Sequence, residues 1–154
     1  MNNEDYLTRL NVLPSECSCE KCKRMCHSPC FMSVEDAEKL IEAGYAKRLM
    51  FDDLPSMHDT GAILKPALKG YEGEQSPWAT GTIKGCTFWT KDQKCALHKT
   101  GLKPIQGRIA IHDNTSYDGE DLADLSKEDW ESERGLAVIE KWKKIVGYTE
   151  ETDE

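Results

Sequence analysis

Five of the seven cysteines in this 154-residue chain, Cys17, Cys19, Cys22, Cys26 and Cys30, fall within fourteen residues, and Cys86 and Cys95 form a second group far downstream. A thiolate is a soft, strongly bonding ligand. Several held a few residues apart can close around one Zn²⁺ or an iron-sulfur centre with little help from the rest of a fold. Cysteine density also marks small secreted domains stapled by disulfides, so that reading stands beside the first. Three features weigh against it. The cysteine count is odd, the opening Met1 to Asp5 shows no basic stretch leading into an apolar one, and Cys17 and Cys19 are too close in sequence to bridge comfortably. The expectation is a cytoplasmic chain with reduced thiols that bind metal.

Spacing favours zinc, as one or two ions, over iron or an iron-sulfur cluster. Cys19 and Cys22 form a C-x2-C pair common to both, but the next steps, three residues to Cys26 and three to Cys30, depart from the bacterial ferredoxin run. His27 and His98 have cysteine neighbours and are candidates to share a tetrahedral site, whereas His58 and His112 sit in polar contexts and read as solvated. The candidate metal ligands are therefore Cys17, Cys19, Cys22, Cys26, Cys30, Cys86, Cys95 and His98. One or two of these cysteines can be ordinary buried side chains, Cys17 first among them, but five so close together cannot all be. Lys21, Lys23 and Arg24 lie among them, and cations beside thiols favour the thiolate form that metal requires.

Catalysis has little support at this level. The chain has no H-E-x-x-H, no deaminase pairing of H-x-E with P-C-x-x-C, no nucleophile elbow and no phosphate-binding glycine loop. Asp36 and Asp113 are available carboxylates without a partner fixed by spacing. A mainly structural zinc site serving a binding or interaction role is preferred, and an iron-sulfur or metal-dependent oxidoreductase-like enzyme is the alternative.

The elements that must position these residues are short. The stretch from Tyr6 to Leu13 predicts a brief helix or turn before Pro14, and the segment from Cys17 to Cys30 reads as an irregular knuckle. Ser33 with Asp36 resembles a capping box. It opens a helix with an apolar stripe of Val34, Ala37, Leu40 and Ile41 that stops at Gly44. Residues 51–82 are rich in Pro and Gly and predict loop, with Ala62 to Leu64 as a short strand. The second cysteine segment suggests a hairpin bringing Cys86 near Cys95, Ile109 to Ile111 suggests another strand, and a second helix is expected from Ser126 to Val146, interrupted in character by Gly135 and stopped by Gly147. The expected fold is α+β: a small, irregular, loop-rich, metal-stabilised domain with a cysteine knuckle, two main helices and a short β-hairpin. Residues 1–117 would form the cysteine-rich unit, 118–148 an acidic linker and helix packed on it, and 149–154 a disordered tail.

Joining Cys30 to Cys86 closes a loop of about 56 residues, at a cost on the order of 4 kcal/mol in chain entropy. Structural zinc contributes roughly 10 to 16 kcal/mol in small domains, so loop length does not forbid a shared site.

Charge bounds the partners. Residues 1–117 balance 15 acidic against 15 basic side chains, while 118–154 hold 13 against 5, so the net charge of -8 belongs to the C-terminal part. That distribution offers no basic face for nucleic acid, and no apolar run is long enough for a membrane span. Trp78, Trp89, Trp130 and Trp142 are candidates for a protein-recognition surface, with core packing as the plainer reading, and the acidic helix is either a contact for a basic partner or a solvated face. Partner identity and oligomeric state are left open.

The order of Cys19-x2-Cys22-x3-Cys26-His27, Ser33-Val34-Glu35-Asp36, Cys86-Thr87-Phe88, Cys95-Ala96-Leu97-His98 and Lys103-Pro104-Ile105-Gln106-Gly107-Arg108 resembles the YkgJ-like cysteine-cluster family of zinc- or iron-chelating proteins. The resemblance covers about residues 17–112. It implies a chelating domain with a C-x2-C-x2-C-C cluster, a distal Cys-x-Phe element, a Cys-x-Ile-Tyr turn and an Arg-Pro-x-x-Cys-Arg ending. This chain departs from the pattern: one residue is added before Cys26, His27 replaces the adjacent cysteine, His98 replaces the usual Tyr, Gly107 replaces the last cysteine, and Cys17 and Cys30 are additions. The resemblance thus implies redistributed ligands, with Cys30 or His98 taking a position filled differently elsewhere.

Overall fold

Asn2 starts the first helix, α1 (Asn3–Leu10), through a reciprocal cap. Its side chain accepts the Asp5 N–H at 3.0 Å while Asp5 accepts the Asn2 N–H at 2.8 Å, and Asn11, at φ 54°, ends the helix. The computed structural model describes residues 1–14, 19–25, 27, 29–53, 61–77, 85–109 and 118–149. Cys17, Cys26, His58, Trp78, His112, Asp113, the expected strand beyond Ile109 and the tail beyond Thr149 lie outside them.

The knuckle is less irregular than its sequence suggests, because Glu20–Met25 form a short helix, α2. That run contains only good helix formers and Cys22, with no Gly or Pro, so local propensity is met even between cysteines. Ser33 caps α3 (Val34–Glu42) as expected, its side chain accepting the Asp36 N–H at 3.0 Å, and Gly44 at φ 93° follows the last turn.

Leu49–Asp52 (β1) and Ile63–Pro66 (β2) pair antiparallel, with Phe51 opposite Leu64. The strand expected around Ile63 is present. Its partner was hidden because Leu49, Met50 and Phe51 are all buried and show no alternation. Pairing then propagates outward. Ala67 N–H donates to the Arg48 carbonyl at 3.0 Å, Lys69 N–H to Gly85 at 3.0 Å, and Thr87 N–H to Ala67 at 2.7 Å, which lays the second cysteine segment beside the residues that follow β2. The expected hairpin there is reduced to a tight turn in which Trp89 bridges Cys95 and Ala96 N–H donates to the Phe88 carbonyl at 2.8 Å.

Ile105–Ile109 form a short helix, α4, so Ile109, the first residue of the expected strand, is helical. Its first N–H is satisfied by a distant side chain, Asp36, at 2.7 Å, a tertiary cap that no local pattern announces. The single helix expected from Ser126 to Val146 is two: α5 (Gly119–Trp130) and α6 (Glu133–Val146). Ser132 caps α6 by accepting the Gly135 N–H at 3.1 Å. A Cβ at Gly135 would lie 2.5 Å from the Trp130 carbonyl oxygen and 2.7 Å from that of Asp129, so glycine permits the sharp corner. Ser126, expected as a cap, is instead buried within α5.

Two main apolar clusters hold these pieces, beside a small third one of Met50, Ala67 and Leu68. The larger joins α3, β1, β2, α5 and α6 through residues such as Leu40, Leu49, Ile63, Trp130, Ile139 and Trp142. The smaller joins α1, α4 and α5 through Tyr6, Leu10, Ile105, Ile109 and Leu122. Trp130 and Trp142 are fully buried, and their indole N–H groups donate to the carbonyls of Met32 at 3.0 Å and Ala46 at 2.7 Å, so both serve the core and not a recognition surface. The described residues form a mixed fold of six α-helices and a two-stranded antiparallel sheet, and none of those helices is long and apolar enough to cross a membrane.

Candidate metal centre

The five described cysteines differ in setting. Cys22 on α2 and Cys86 beside the sheet are buried, Cys30 and Cys95 are half-buried, and Cys19 is exposed at the start of α2. Cys86 and Cys95 also contribute to the larger apolar cluster.

The two cysteine groups, distant in sequence, meet in space. Cys86 N–H donates to the His27 carbonyl at 2.7 Å, and the His27 ring meets Trp89 edge-on at a centroid distance of 5.7 Å. Gly85 makes this approach possible. It sits at φ 74°, and a Cβ there would fall 2.7 Å from His27 Nε2 and 3.0 Å from its carbonyl oxygen. His27 thus lies packed on Gly85 and Trp89, between the knuckle and the distal segment.

Cys30 is placed by a second junction. Phe31 N–H donates to Gln106 Oε1 at 2.7 Å and Gln106 N–H returns to the Phe31 carbonyl at 3.3 Å, fastening the residue after Cys30 to α4. Asp36 supports the same helix. It is buried, caps Ile105, accepts the Asn3 amide at 2.8 Å and the Ser33 N–H at 3.1 Å, and pairs with Arg108 at 3.5 Å. Burial pushes its carboxyl up, and the donors from Asn3, Ser33, Ile105 and Arg108 pull the other way. Its oxygens are committed to holding α3 and α4 together, which is a structural role.

Cys30 Sγ lies 3.7 Å from the point where a Cβ at Gly107 would stand, and Lys103 Cε lies 3.1 Å from the same point. Lys103 is 3% exposed, and its Nζ is 3.3 Å from His98 Nδ1. Gln106 acts through Phe31, 75 positions away, whereas Lys103 meets His98 only 5 positions away.

Among the described residues, no three His, Cys, Asp or Glu side chains converge as a metal-holding group. Cys17 and Cys26 lie outside those residues. Segments that carry thiols of both groups are in direct backbone contact, and Cys30 and Lys103 both approach Gly107. A separate groove of about 620 Å³ is lined by Lys47, Tyr71, Glu72, Glu74 and Tyr148 among others, and contains none of the cysteines. Comparison of the chain with family models, curated proteins and solved structures finds no match.

Proposed function

We propose that this chain is a zinc-binding protein in which thiolates from both cysteine groups hold one or two ions, and that the metal is mainly structural, serving a binding or interaction role. The supporting observation is the 2.7 Å hydrogen bond from Cys86 to His27, which brings the distal cysteine segment onto the knuckle. A metal shared across that junction would cross-link a fold in which the described residues form a sheet of two strands. Cys19, Cys22, Cys26, Cys30, Cys86, Cys95 and His98 form the ligand pool, with Cys17 as the first candidate for a spare thiol. The resemblance to the YkgJ-like chelating family belongs to the same proposal. Cys30, packed against Gly107, is then the thiol that stands in for the cysteine this chain lacks at that position.

The test is metal analysis of protein purified without added metal, together with its visible spectrum. Colourless protein holding one or two zinc equivalents and unfolding with chelator is the expected result. Brown protein with iron and sulfide moves the assignment to the iron-sulfur alternative. Protein that holds no metal, and whose circular dichroism is indifferent to both chelator and added zinc, overturns the proposal.

A further inference from the structure

We infer that residues 73–76 form an open sheet edge onto which an extended peptide with basic side chains docks, in the groove between that edge and the C-terminal end of α6. This gives the interaction role proposed above a surface, and it does not depend on bound metal.

β1 is covered on both sides. β2 pairs with one edge, and residues 73–76 run parallel along the other: Gly73 N–H donates to the Leu49 carbonyl at 2.8 Å, Phe51 N–H to that of Glu74 at 3.0 Å, and Ser76 N–H to that of Phe51 at 2.8 Å. In a parallel ladder, the residue between the two that bond to the neighbour turns its own N–H and carbonyl to the opposite side. That residue is Gln75. It is exposed, and among the described residues its one hydrogen bond runs from the side-chain amide to Asp53 Oδ1 at 2.7 Å. Its main chain therefore presents a donor and an acceptor on the outer edge, the pair that an added strand engages.

The groove of about 620 Å³ runs beside this edge, with Gln75 in one wall and Val146 to Thr149 in the other. Gly147 ends α6 in the left-handed conformation, and Tyr148 then packs edge-on against Phe51 at a centroid distance of 5.7 Å. A Cβ at Gly73 would stand 3.8 Å from Val146 Cβ, so the two walls converge there. Tyr148 and the exposed Tyr71 supply apolar surface for alternate side chains of a docked strand.

Charge selects the occupant. Glu72 and Glu74 line the groove and Asp53 holds the Gln75 side chain, against the single lining cation Lys47. Lys143 is packed over the Phe51 and Tyr148 rings and is not among the lining residues. That balance favours lysine or arginine on the incoming strand over aspartate or glutamate. The next position facing outward after Gln75 is Pro77, which has no N–H. The edge is thus too short for a long ladder between two copies of this chain and suits a short segment of a partner protein.

The test is an amide NMR titration of the full-length protein with the capped pentapeptide Lys-Val-Lys-Val-Lys, with Glu-Val-Glu-Val-Glu and a fully N-methylated basic peptide as controls. Saturable shifts centred on Gln75 and Tyr148 and slowed hydrogen exchange at the Gln75 amide are expected with the basic peptide. Loss of the peptide donors should weaken binding about fivefold, the effect of about one hydrogen bond. Glu74→Lys, an exposed change that leaves the core untouched, should narrow the preference for the basic over the acidic peptide by about fivefold. No shifts at about 1 mM basic peptide, shifts confined to another surface, or equal binding of the three peptides overturns the inference. So does a Gln75 amide already protected from exchange in the peptide-free protein, since the chain or a second copy then covers the edge. Metal content is measured separately, so failure here leaves the zinc reading standing and a metal-free protein leaves this one standing.

Discussion

The Tyr6 hydroxyl donates to Asp129 Oδ2 at 2.7 Å, joining α1 to α5 across 123 positions of sequence. The same oxygen accepts the Val34 N–H at 2.9 Å, so one buried carboxylate holds the first turn of α3 as well. Three helices therefore depend on Asp129, and Tyr6 is the side-chain half of that junction.

Tyr6→Phe keeps the ring in its apolar cluster and removes only the donor. It is expected to lower unfolding free energy by about 1.5 to 3 kcal/mol, the usual range for a buried hydrogen bond to a charged group. Urea denaturation at neutral pH reads this directly, with an unchanged m-value. A loss below about 0.5 kcal/mol would show that the hydroxyl is not supporting the junction.

Alkali gives a second reading of Tyr6. Burial raises its folded pKa above the ordinary value of 10.0, reinforced by the neighbouring charge of Asp129 and the hydrogen bond to it. Above pH 10 the unfolded chain releases this proton while the folded chain keeps it. The contribution of Tyr6 is thus fully present below pH 10 and declines as pH climbs beyond it. The slope of stability against pH above 10 should be shallower in Tyr6→Phe than in wild type; equal slopes would contradict the assignment.

Gly135→Ala separates packing from propensity. Alanine is favoured in a helix by about 1 kcal/mol, yet its Cβ here would collide with the carbonyl oxygens of Trp130 and Asp129. Backbone on both sides cannot yield cheaply, so a net loss of about 1 to 3 kcal/mol is expected in thermal or urea unfolding. A stabilised variant would mean that the corner between α5 and α6 opens more easily than the geometry implies.

Gly85→Ala probes the junction of the two cysteine segments, and Gly101→Ala is its control. Both glycines have positive φ, at 74° and 80°, but only Gly85 faces a neighbour, while a Cβ at Gly101 would meet nothing within 4 Å. Gly101→Ala should cost about 1 kcal/mol from backbone strain alone. Gly85→Ala should cost more and, on the proposed zinc reading, also speed zinc loss to a chelator, because displacing His27 separates Cys86 from the knuckle. Equal zinc retention in the two variants would argue that the junction is not part of the metal site.

What the chain shows before folding is chemistry and local punctuation. Two cysteine groups, the Ser33 and Asp36 box, and the stops at Gly44 and Gly147 are legible because each rests on residues a few positions apart, where caps and turns are decided. The same locality misleads where tertiary contacts prevail. Ser126 looks like a cap and is buried, Ile109 looks like strand and ends a helix whose first N–H is held by Asp36, and Gly135 permits a corner that periodicity runs straight through. The sequence by itself determined which thiols are available, both ends of α3 and the end of α6. Only the tertiary structure decided that Cys86 lies on His27, that Lys103 and Cys30 both approach Gly107, and that Asp129 gathers three helices. Those contacts join residues separated by long stretches of chain, and no spacing rule carries them; they follow from burying two apolar clusters at once.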